Sequence, residues 1–306
     1  MPFSPTGHNP VNIICIAGPT ASGKSARAVE EALARDGEII SVDSRQVYRG
    51  LDIGTEKMPA DERRGVPHHL IDIRNVAETY SAGDFVNDAC RLIPEIVARG
   101  KLPILVGGTH FYFDALLHGL PAGVDANPEL REKLELLPTE ELFARIREQD
   151  PRRAAELDPQ NRRRLIRALE IIAANGTVPP RARDIRCPDM HSETRTSDVL
   201  TFAPEWIVID PPAEELRARI GARLARAFER GLIEEVRRVR EAAGDARLNE
   251  LGLEYKIVGE FLSSSAKATE DAARLERKLF PILSAKLWQY ARRQKAWLRK
   301  LGHPMS

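Results

Sequence analysis

The octapeptide GPTASGKS at residues 18–25 decides the fold of this 306-residue chain. It fits the pattern G-x-x-x-x-G-K-[ST], in which glycines let the backbone wrap an oxyanion and the lysine reaches its outer oxygens. A short apolar run at residues 11–17 precedes it as a predicted buried strand, and helical periodicity follows from Lys24 to about Arg35. We therefore expect a diphosphate or triphosphate ligand, and the motif alone favours an ATP- or GTP-dependent kinase or NTPase.

The whole octapeptide is expected to form the diphosphate site, and its last residue is also the expected Mg²⁺ ligand. The residues are Gly18, Pro19, Thr20, Ala21, Ser22, Gly23, Lys24 and Ser25.

The rest of the chain continues the alternation of strand and helix. Further short apolar runs lie at residues 38–42, 69–73, 102–106 and 206–209, separated by helical patterns. This alternation predicts the α/β class, with a parallel P-loop sheet as the core and helices on both of its faces.

Between these runs, residues 127–175 carry helical periodicity and no convincing strand. Four prolines each stand where a helix could begin, namely Pro128, Pro138, Pro151 and Pro159. Residues 177–198 are rich in proline, arginine and polar side chains and are interpreted as a loop. The predicted organisation is a catalytic core of residues 1–118 and 199–306, interrupted by an all-helical insertion domain at residues 119–198.

The composition excludes several classes of protein. The 46 basic and 45 acidic residues give a net charge of +1, which argues against a protein that coats nucleic acid over its whole surface. No apolar run approaches the roughly 20 residues that span a bilayer, so we expect no membrane segment. The first ten residues lack the basic and apolar regions of a secretory signal peptide, and we expect a cytoplasmic protein.

Asp43 directly follows the second predicted strand, and two interpretations of it are open. It is either a carboxylate that holds Mg²⁺ through water or a general base beside the phosphate loop. Under both interpretations it should lie near Lys24, because the carboxyl ends of parallel strands face the ligand crevice. The polar segment at residues 44–55 favours the second, since its amide, hydroxyl and guanidinium groups suit the reading of a base edge.

Eight ordered segments of the chain resemble the tRNA dimethylallyltransferase family, also called tRNA isopentenylpyrophosphate transferases. They are GPTASGKS (18–25), SVDSRQVYRGLDIGTEK (41–57), PHHLID (67–72), YSAGDF (80–85), PILVGGTHFYFDALL (103–117), RRLIRALEI (163–171), RGLIEEV (230–236) and ARRQKAWLR (291–299). The usual I-G-Y-[KR] segment of the family appears here as LGLEYK (251–256). The zinc-finger tail of eukaryotic members has no counterpart here, so a bacterial-type enzyme is expected.

The resemblance implies transfer of the dimethylallyl group from dimethylallyl diphosphate to N6 of the adenosine at tRNA position 37, next to the anticodon, giving N6-dimethylallyladenosine and diphosphate. It implies three catalytic residues: Asp43 as the base, Thr109 as a hydrogen-bond donor to the diphosphate, and Arg223 as a cation for the leaving group. Lys24 and Mg²⁺ held through Ser25 complete the charge stabilisation. Arg223 stands in an arginine-rich helical stretch where solvated arginines are common, and only the resemblance distinguishes it there.

Two basic clusters predict contacts with tRNA phosphates. The cluster of the insertion consists of Arg152, Arg153, Arg162, Arg163, Arg164 and Arg167, and the C-terminal cluster consists of Lys286, Arg292, Arg293, Lys295, Arg299 and Lys300. The alternative for each cluster is a solvated helix face, and Trp297 alternates with apolar residues in a way that favours a core position. The target adenine is expected to leave its stack to reach Asp43. The residues expected to contact tRNA are Asp43, Ser44, Arg45, Gln46, Thr109, Arg131, Arg163, Arg164, Arg167, Arg292, Arg293, Gln294, Trp297 and Arg299.

The expected partners are the anticodon stem-loop of tRNA and dimethylallyl diphosphate, and the expected state is a monomer. Two other functions are open. A free-nucleotide prenyltransferase would share the phosphate loop and the base, but would lack the helical insertion and the basic C-terminal helix. A P-loop kinase or a nucleotide-switched RNA-binding protein would hydrolyse ATP without a prenyl donor.

Overall fold

The structure is a computed structural model that describes residues 10–120, 127–179, 200–263 and 272–300. These residues divide into two compact units: residues 118–179 belong to one, and the residues before and after them to the other. No helix within the described ranges combines the length and the apolar character that a membrane crossing requires. Most of the predicted loop at residues 177–198, and the first nine residues of the chain, lie outside the described residues.

A parallel sheet of five strands forms the centre of the larger unit. The strands are β1 (Val11–Ala17), β2 (Gly37–Ser41), β3 (His68–His69), β4 (Leu102–Gly107) and β5 (Phe202–Val208). Their order is β3-β2-β4-β1-β5, and Ile16 of β1 lies opposite Val106 of β4. Because the strands are parallel, the segments that follow β1, β2 and β4 meet at one edge of the sheet.

Helices cover the sheet and form the second unit. Their bounds are α1 (Lys24–Arg35), α2 (Ala82–Ala98), α3 (His110–His118), α4 (Pro128–Glu135), α5 (Thr139–Gln149), α6 (Pro151–Glu156), α7 (Arg162–Asn175), α8 (Ala213–Glu229), α9 (Leu232–Leu248), α10 (Leu253–Leu262) and α11 (Ala272–Lys300).

Apolar residues of α1 pack on the sheet. Ala28, Val29 and Ala32 form a buried cluster with Ile14 of β1 and Ile39 of β2. Their spacing of three and four positions places them on one face of the helix, which is why the sequence folds there as a helix against the strands.

The second unit has its own hydrophobic core, in which Leu142, Ile146, Leu165 and Ile172 are buried. Asn127, Asp150 and Asn161 cap α4, α6 and α7 with their side chains. Pro128 and Pro151 occupy the first turns of α4 and α6, and Pro138 immediately precedes α5. The expectation for Pro159 was wrong, because α7 begins three residues later, after the cap formed by Asn161.

Two of the expected strands differ from the observed ones. The run at residues 69–73 contributes only the short β3, because Leu70 and Asp72 have positive φ angles of 60° and 59°, which break an extended chain. Strand β5 begins four residues earlier than expected and includes Pro204. A proline fits there because β5 is an edge strand and has a neighbour on one side only.

Candidate active site

The phosphate loop joins the end of β1 to the start of α1. Ala21 and Gly23 both have positive φ angles, of 61° and 92°, and the Ser22 N–H donates to the Pro19 carbonyl at 3.2 Å. A Cβ on Gly18 would lie 2.7 Å from the carbonyl oxygen of Ile209, so the loop can run beside β5 only with glycine there. The N–H groups that begin α1 and the positive end of its dipole face the same loop, as an oxyanion site requires.

Lys24 is held inside this loop. Its Nζ donates to the Pro19 carbonyl at 3.3 Å. Burial lowers the pKa of Lys24 to about 8, an effect that the charge of Asp43 opposes and that of Arg223 reinforces. A lysine whose charge is so poorly compensated attracts an anion, because binding a diphosphate would restore the lost stabilisation of its ammonium group.

Asp43 lies two residues beyond the end of β2, and its carboxylate is oriented by its own loop. Its Oδ1 accepts hydrogen bonds from the N–H groups of Arg45 at 2.8 Å and Gln46 at 3.3 Å. No described residue donates to the other oxygen, Oδ2, so one carboxylate oxygen stays available to a ligand. The electrostatic influence of Asp43 on Lys24 agrees with the expectation that these two residues are neighbours.

Thr109 ties the segment after β4 to the segment after β2. Its N–H donates to the Val42 carbonyl at 3.2 Å, and its Oγ1 accepts from the N–H of Ser44 at 3.1 Å. A Cβ on Gly107 would lie 1.9 Å from the Val42 oxygen, so a residue other than glycine would push the two segments apart. Since Oγ1 accepts from Ser44, its own hydrogen is free to donate to a ligand.

Arg223 of α8 reaches the phosphate loop, although it lies 203 positions beyond Thr20 in the sequence. Its guanidinium donates to Thr20 Oγ1 and, at 3.2 Å, to the Gly54 carbonyl, and its side chain is 12% exposed. The structure thereby distinguishes it from Arg217 of the same helix, which stacks over Trp288. Arg219 also reaches the loop, where it donates to the Ser22 carbonyl at 3.0 Å, a contact that the sequence did not indicate.

Two carboxylates that sequence reasoning missed lie against Arg223. The Nε atom of Arg223 is 2.7 Å from Glu56 and its Nη2 atom is 3.6 Å from Glu254. Burial raises the pKa of Glu254, although the charge of Arg223 opposes the shift. Glu254 lies in the segment LGLEYK that departs from the usual family pattern, and that departure was the available signal.

A third missed carboxylate, Glu235 of α9, organises the loop that carries Gly54 and Glu56. It is buried, and it accepts hydrogen bonds from the N–H groups of Asp52, Ile53 and Gly54 and from the Tyr255 hydroxyl, at 2.7–3.1 Å. Four donors to one buried carboxylate fix the loop that meets Arg223. Glu235 lies in RGLIEEV, one of the matching segments, but nothing in the sequence pairs it with this loop.

The polar segment after Asp43 forms side-chain hydrogen bonds within the protein. Ser44, Arg45 and Gln46 are all half-buried. The Gln46 side chain donates to the Thr55 carbonyl at 3.2 Å and accepts from the Ser41 hydroxyl, also at 3.2 Å. Gln46 is therefore tied to the same loop that Glu235 holds.

Helix α11 carries three arginines of the C-terminal basic cluster on its exposed face, whereas Lys295 of that cluster pairs with Asp210. Arg292, Arg293 and Arg299 are exposed, and no described residue forms an ion pair with them. Gln294 does not share that face, because it is buried. The oxygen and the nitrogen of its side-chain amide both form hydrogen bonds with backbone groups. Trp297 is half-buried and stacks on His110, with ring centroids 4.3 Å apart and planes 6° apart.

The arginines of the second unit fall into two groups. Arg131 and Arg167 lie 2.8 and 3.4 Å from the buried carboxylate of Glu170, which pairs with both of them although their side chains stay 47% and 40% exposed. Arg163 and Arg164 are exposed at the start of α7, and no described residue pairs with them.

The structure therefore brings Asp43, Thr109, Lys24 and Arg223 together at the carboxyl edge of the sheet. Among the described residues, no group of three or more His, Cys, Asp or Glu side chains could hold a metal ion by itself. The arrangement can bind a diphosphate with two cations and backbone N–H groups, and can present a carboxylate oxygen beside it.

The chain matches the family model described as IPP transferase over residues 46–301. It is 40% identical to a curated tRNA dimethylallyltransferase from Thermomicrobium roseum over 94% of this chain and 84% of that protein.

Two solved structures are similar to it. One is the full-length tRNA isopentenylpyrophosphate transferase from Bacillus halodurans, with 34% identity and a TM-score of 0.64 over 94% of this chain and 86% of that one. The other is a eukaryotic dimethylallyltransferase acting on tRNA, with 28% identity and a TM-score of 0.74 over 94% of this chain and 70% of that one.

Proposed function

This chain belongs to the IPP transferase family, and from that premise we propose that it is a tRNA dimethylallyltransferase whose target is N6 of the adenosine at position 37, next to the anticodon. The donor is dimethylallyl diphosphate, and the products are N6-dimethylallyladenosine and diphosphate. The observation that carries this proposal is the meeting of Arg223 with the phosphate loop beside Asp43, because a cationic diphosphate site next to a carboxylate suits displacement of diphosphate by an amine.

The reaction forms one bond and breaks one. The N6 nitrogen attacks C1 of the dimethylallyl group, the C1–O bond breaks, and the diphosphate leaves with the bonding electrons. The N6 lone pair is delocalised into the adenine ring, so the amine is a poor nucleophile unless its proton is removed while the new C–N bond forms. Asp43 accepts that proton on Oδ2, while the N–H groups of Arg45 and Gln46 hold Oδ1 in place. Such a base contributes about 10²–10⁴-fold to the rate.

Departure of the diphosphate depends on positive charge and on hydrogen-bond donors. Lys24, Arg223 and the N–H groups at the start of α1 bind its oxygens, and the Thr109 hydroxyl donates to the oxygen nearest the reacting carbon. In the free protein Glu56 and Glu254 balance the charge of Arg223. This balance keeps the guanidinium at the loop before the donor arrives, so little reorganisation accompanies the reaction.

Mg²⁺ fits the chemistry of this site as a partner of the diphosphate. Ser25 lies in the first turn of α1 and has a half-buried side chain. Mg²⁺ takes few protein ligands and completes its shell with phosphate oxygens and water, so a single hydroxyl beside the loop is sufficient. The ion would neutralise part of the charge that develops on the leaving diphosphate.

The tRNA is held through phosphate contacts by the exposed arginines of α11 and of α7. Arg292, Arg293 and Arg299 form one set, and Arg163 and Arg164 form the other, with Arg131 and Arg167 beside Glu170. The segment that directly follows Asp43 contacts the extruded adenosine through Ser44, Arg45 and Gln46. The protein acts as a monomer in the cytoplasm, where its tRNA substrate is found.

One experiment tests the proposal as a whole. The purified chain is incubated with labelled dimethylallyl diphosphate, Mg²⁺ and unmodified tRNA, and the tRNA is digested to nucleosides. The expected result is labelled N6-dimethylallyladenosine from the position next to the anticodon, and none from a tRNA in which that adenosine is replaced by guanosine. ATP hydrolysis without any labelled nucleoside would contradict the proposal and would indicate a kinase-like or switch protein.

A further inference from the structure

Gln294 connects the two segments that build the diphosphate site. Its Oε1 accepts a hydrogen bond from the Thr20 N–H at 2.9 Å, and its Nε2 donates to the Gly108 carbonyl at 3.0 Å. Thr20 belongs to the phosphate loop, and Gly108 directly precedes Thr109. The side chain is only 5% exposed, so both bonds are shielded from water.

Neighbouring contacts hold this part of α11 in place. The next residue, Lys295, lies 2.7 Å from Asp210 and donates to the Pro211 carbonyl at 2.8 Å, just beyond β5. One turn after Gln294, Trp297 stacks on His110 at the start of α3. The helix is thus fixed on both sides of Gln294, and the amide has little freedom to move.

The two segments carry different parts of the reaction. Thr20 accepts a hydrogen bond from Arg223, so the phosphate loop is coupled to the cation that stabilises the leaving group. Thr109 is bonded to Val42 and Ser44 on either side of Asp43, so the segment after Gly108 is coupled to the base. A change in their separation would alter the distance between the departing diphosphate and the attacking amine.

We propose that Gln294 is a positioning residue for prenyl transfer, which sets the separation of the phosphate loop and the Thr109 segment and does not contact tRNA. This inference rests on the proposed function of the site and replaces the expectation that Gln294 binds tRNA. It also explains the residue type, because the bridge needs one acceptor and one donor on the same planar group. A Cβ on Gly108 would lie 2.7 Å from the Gln294 amide nitrogen, so a larger residue there would displace the amide.

Two substitutions test the bridge in the full chain. Gln294→Met keeps the length of the side chain and removes both hydrogen bonds, which leaves the Thr20 N–H and the Gly108 oxygen unpaired. Gln294→Glu keeps the acceptor, and only its protonated form can donate to Gly108. Gln289, an exposed glutamine on the same helix, supplies the matched controls Gln289→Met and Gln289→Glu.

Gln294→Met should lower kcat about tenfold or more, the effect of breaking two buried hydrogen bonds, with the Kd for tRNA within about twofold of wild type. Gln294→Glu should regain activity as pH falls, because the carboxyl group must be protonated to donate, whereas both Gln289 variants should follow the wild-type pH profile. Weaker tRNA binding with unchanged kcat would overturn the proposal in favour of a tRNA contact. An equal loss in both Gln294 variants at every pH, with a lowered Tm, would overturn it in favour of structural support alone.

The affinity for inorganic diphosphate tests the role of Gln294 independently of prenyl transfer. It is measured by calorimetry without tRNA. We expect Gln294→Met to weaken that binding about tenfold even if the wild-type chain transfers no prenyl group. Unchanged diphosphate affinity in this variant would contradict the bridge while leaving prenyl transfer untouched.

Discussion

Arg223 Nε lies 2.7 Å from a carboxylate oxygen of Glu56, while the same guanidinium donates to the hydroxyl of Thr20 in the phosphate loop. Arg223 and Thr20 are 203 positions apart in the sequence, so the fold alone brings this cation to the loop. The neighbouring carboxylate balances its charge until a diphosphate binds. A cation oriented in advance stabilises a leaving group more effectively than one that must be recruited during the reaction.

Replacing Arg223 by Gln should lower kcat/KM for dimethylallyl diphosphate by about 10²–10³-fold, because a preorganised donor to the leaving group is lost. Arg217→Gln is the matched control, since Arg217 lies on the same helix but stacks over Trp288. Steady-state kinetics of the two variants with saturating tRNA measure the difference. Equal losses in both would mean that Arg223 supports the helix and has no role at the diphosphate.

Donor binding should take up a proton near pH 8. Burial lowers the pKa of Lys24 to about 8 in the free protein, so a part of the population is neutral there. A diphosphate raises that pKa, because it stabilises the ammonium form, and the affinity should therefore fall as pH rises through 8. Calorimetry at pH 8 in two buffers of different ionisation enthalpy measures the proton uptake.

The control for this measurement is Lys24→Ala, which should bind the donor more weakly and without the proton uptake. Equal uptake in this variant and in the wild type would assign the titration to another group.

The hydroxyl of Thr109 should matter less than either cation. Thr109→Ala removes the acceptor of the Ser44 N–H and the donor to the diphosphate, each about 0.5–1.5 kcal/mol, so we expect a loss of roughly tenfold in kcat. Thr109→Ser keeps the hydroxyl and should stay within about threefold of wild type. If Ser and Ala behave alike in single-turnover assays, the hydroxyl has no part in the reaction.

Each basic cluster should contribute to tRNA binding through phosphate contacts. Replacing Arg292 and Arg293 by Gln, or Arg163 and Arg164 by Gln, should weaken tRNA binding and leave donor affinity unchanged. Each lost contact should flatten the plot of log affinity against log salt concentration by roughly 0.7–0.9. Filter binding at several salt concentrations provides both values.

Arg91 and Arg238, exposed arginines of α2 and α9, supply the control pair. Their replacement by Gln should leave the tRNA affinity and its salt dependence at wild-type values. Unchanged slopes in the two cluster variants would show that those arginines only solvate helix faces.

Sequence patterns predicted the bounds of a strand or helix well where neighbouring residues alone determine them. Strand β1 and helix α1 have the expected bounds, because a buried apolar run and a glycine-rich phosphate loop leave the chain little choice. One of the two strands that differ, at residues 69–73, contains a contact that the local pattern does not report. The Asp72 carboxylate lies 2.6 Å from the buried Lys57, and the Asp72 backbone has a positive φ.

The sequence predicted the site residues that follow strands of the sheet, but not those whose partners are distant in the sequence. Asp43 follows β2 and Lys24 follows β1, and only β4 lies between these two parallel strands, so the topology places both residues at the same edge of the sheet. Glu235 was missed, because its backbone partners lie 181–183 positions away and no local pattern reports such pairs. The two backbone bonds of Gln294 were not foreseen for the same reason, since they reach residues 186 and 274 positions away. Gln294 stands among exposed arginines in the sequence, yet the helical turn directs it to the opposite side.

The single-turnover rate of Asp43→Asn tests whether Asp43 is the general base of the transfer. Asparagine keeps an oxygen for the N–H groups of Arg45 and Gln46 but cannot accept the proton of the adenosine amine. With tRNA and donor both saturating, and with their binding near wild type, we expect the rate of N6-dimethylallyladenosine formation to fall by at least about 10²-fold. A rate within about threefold of wild type would contradict the assignment of Asp43 as the general base.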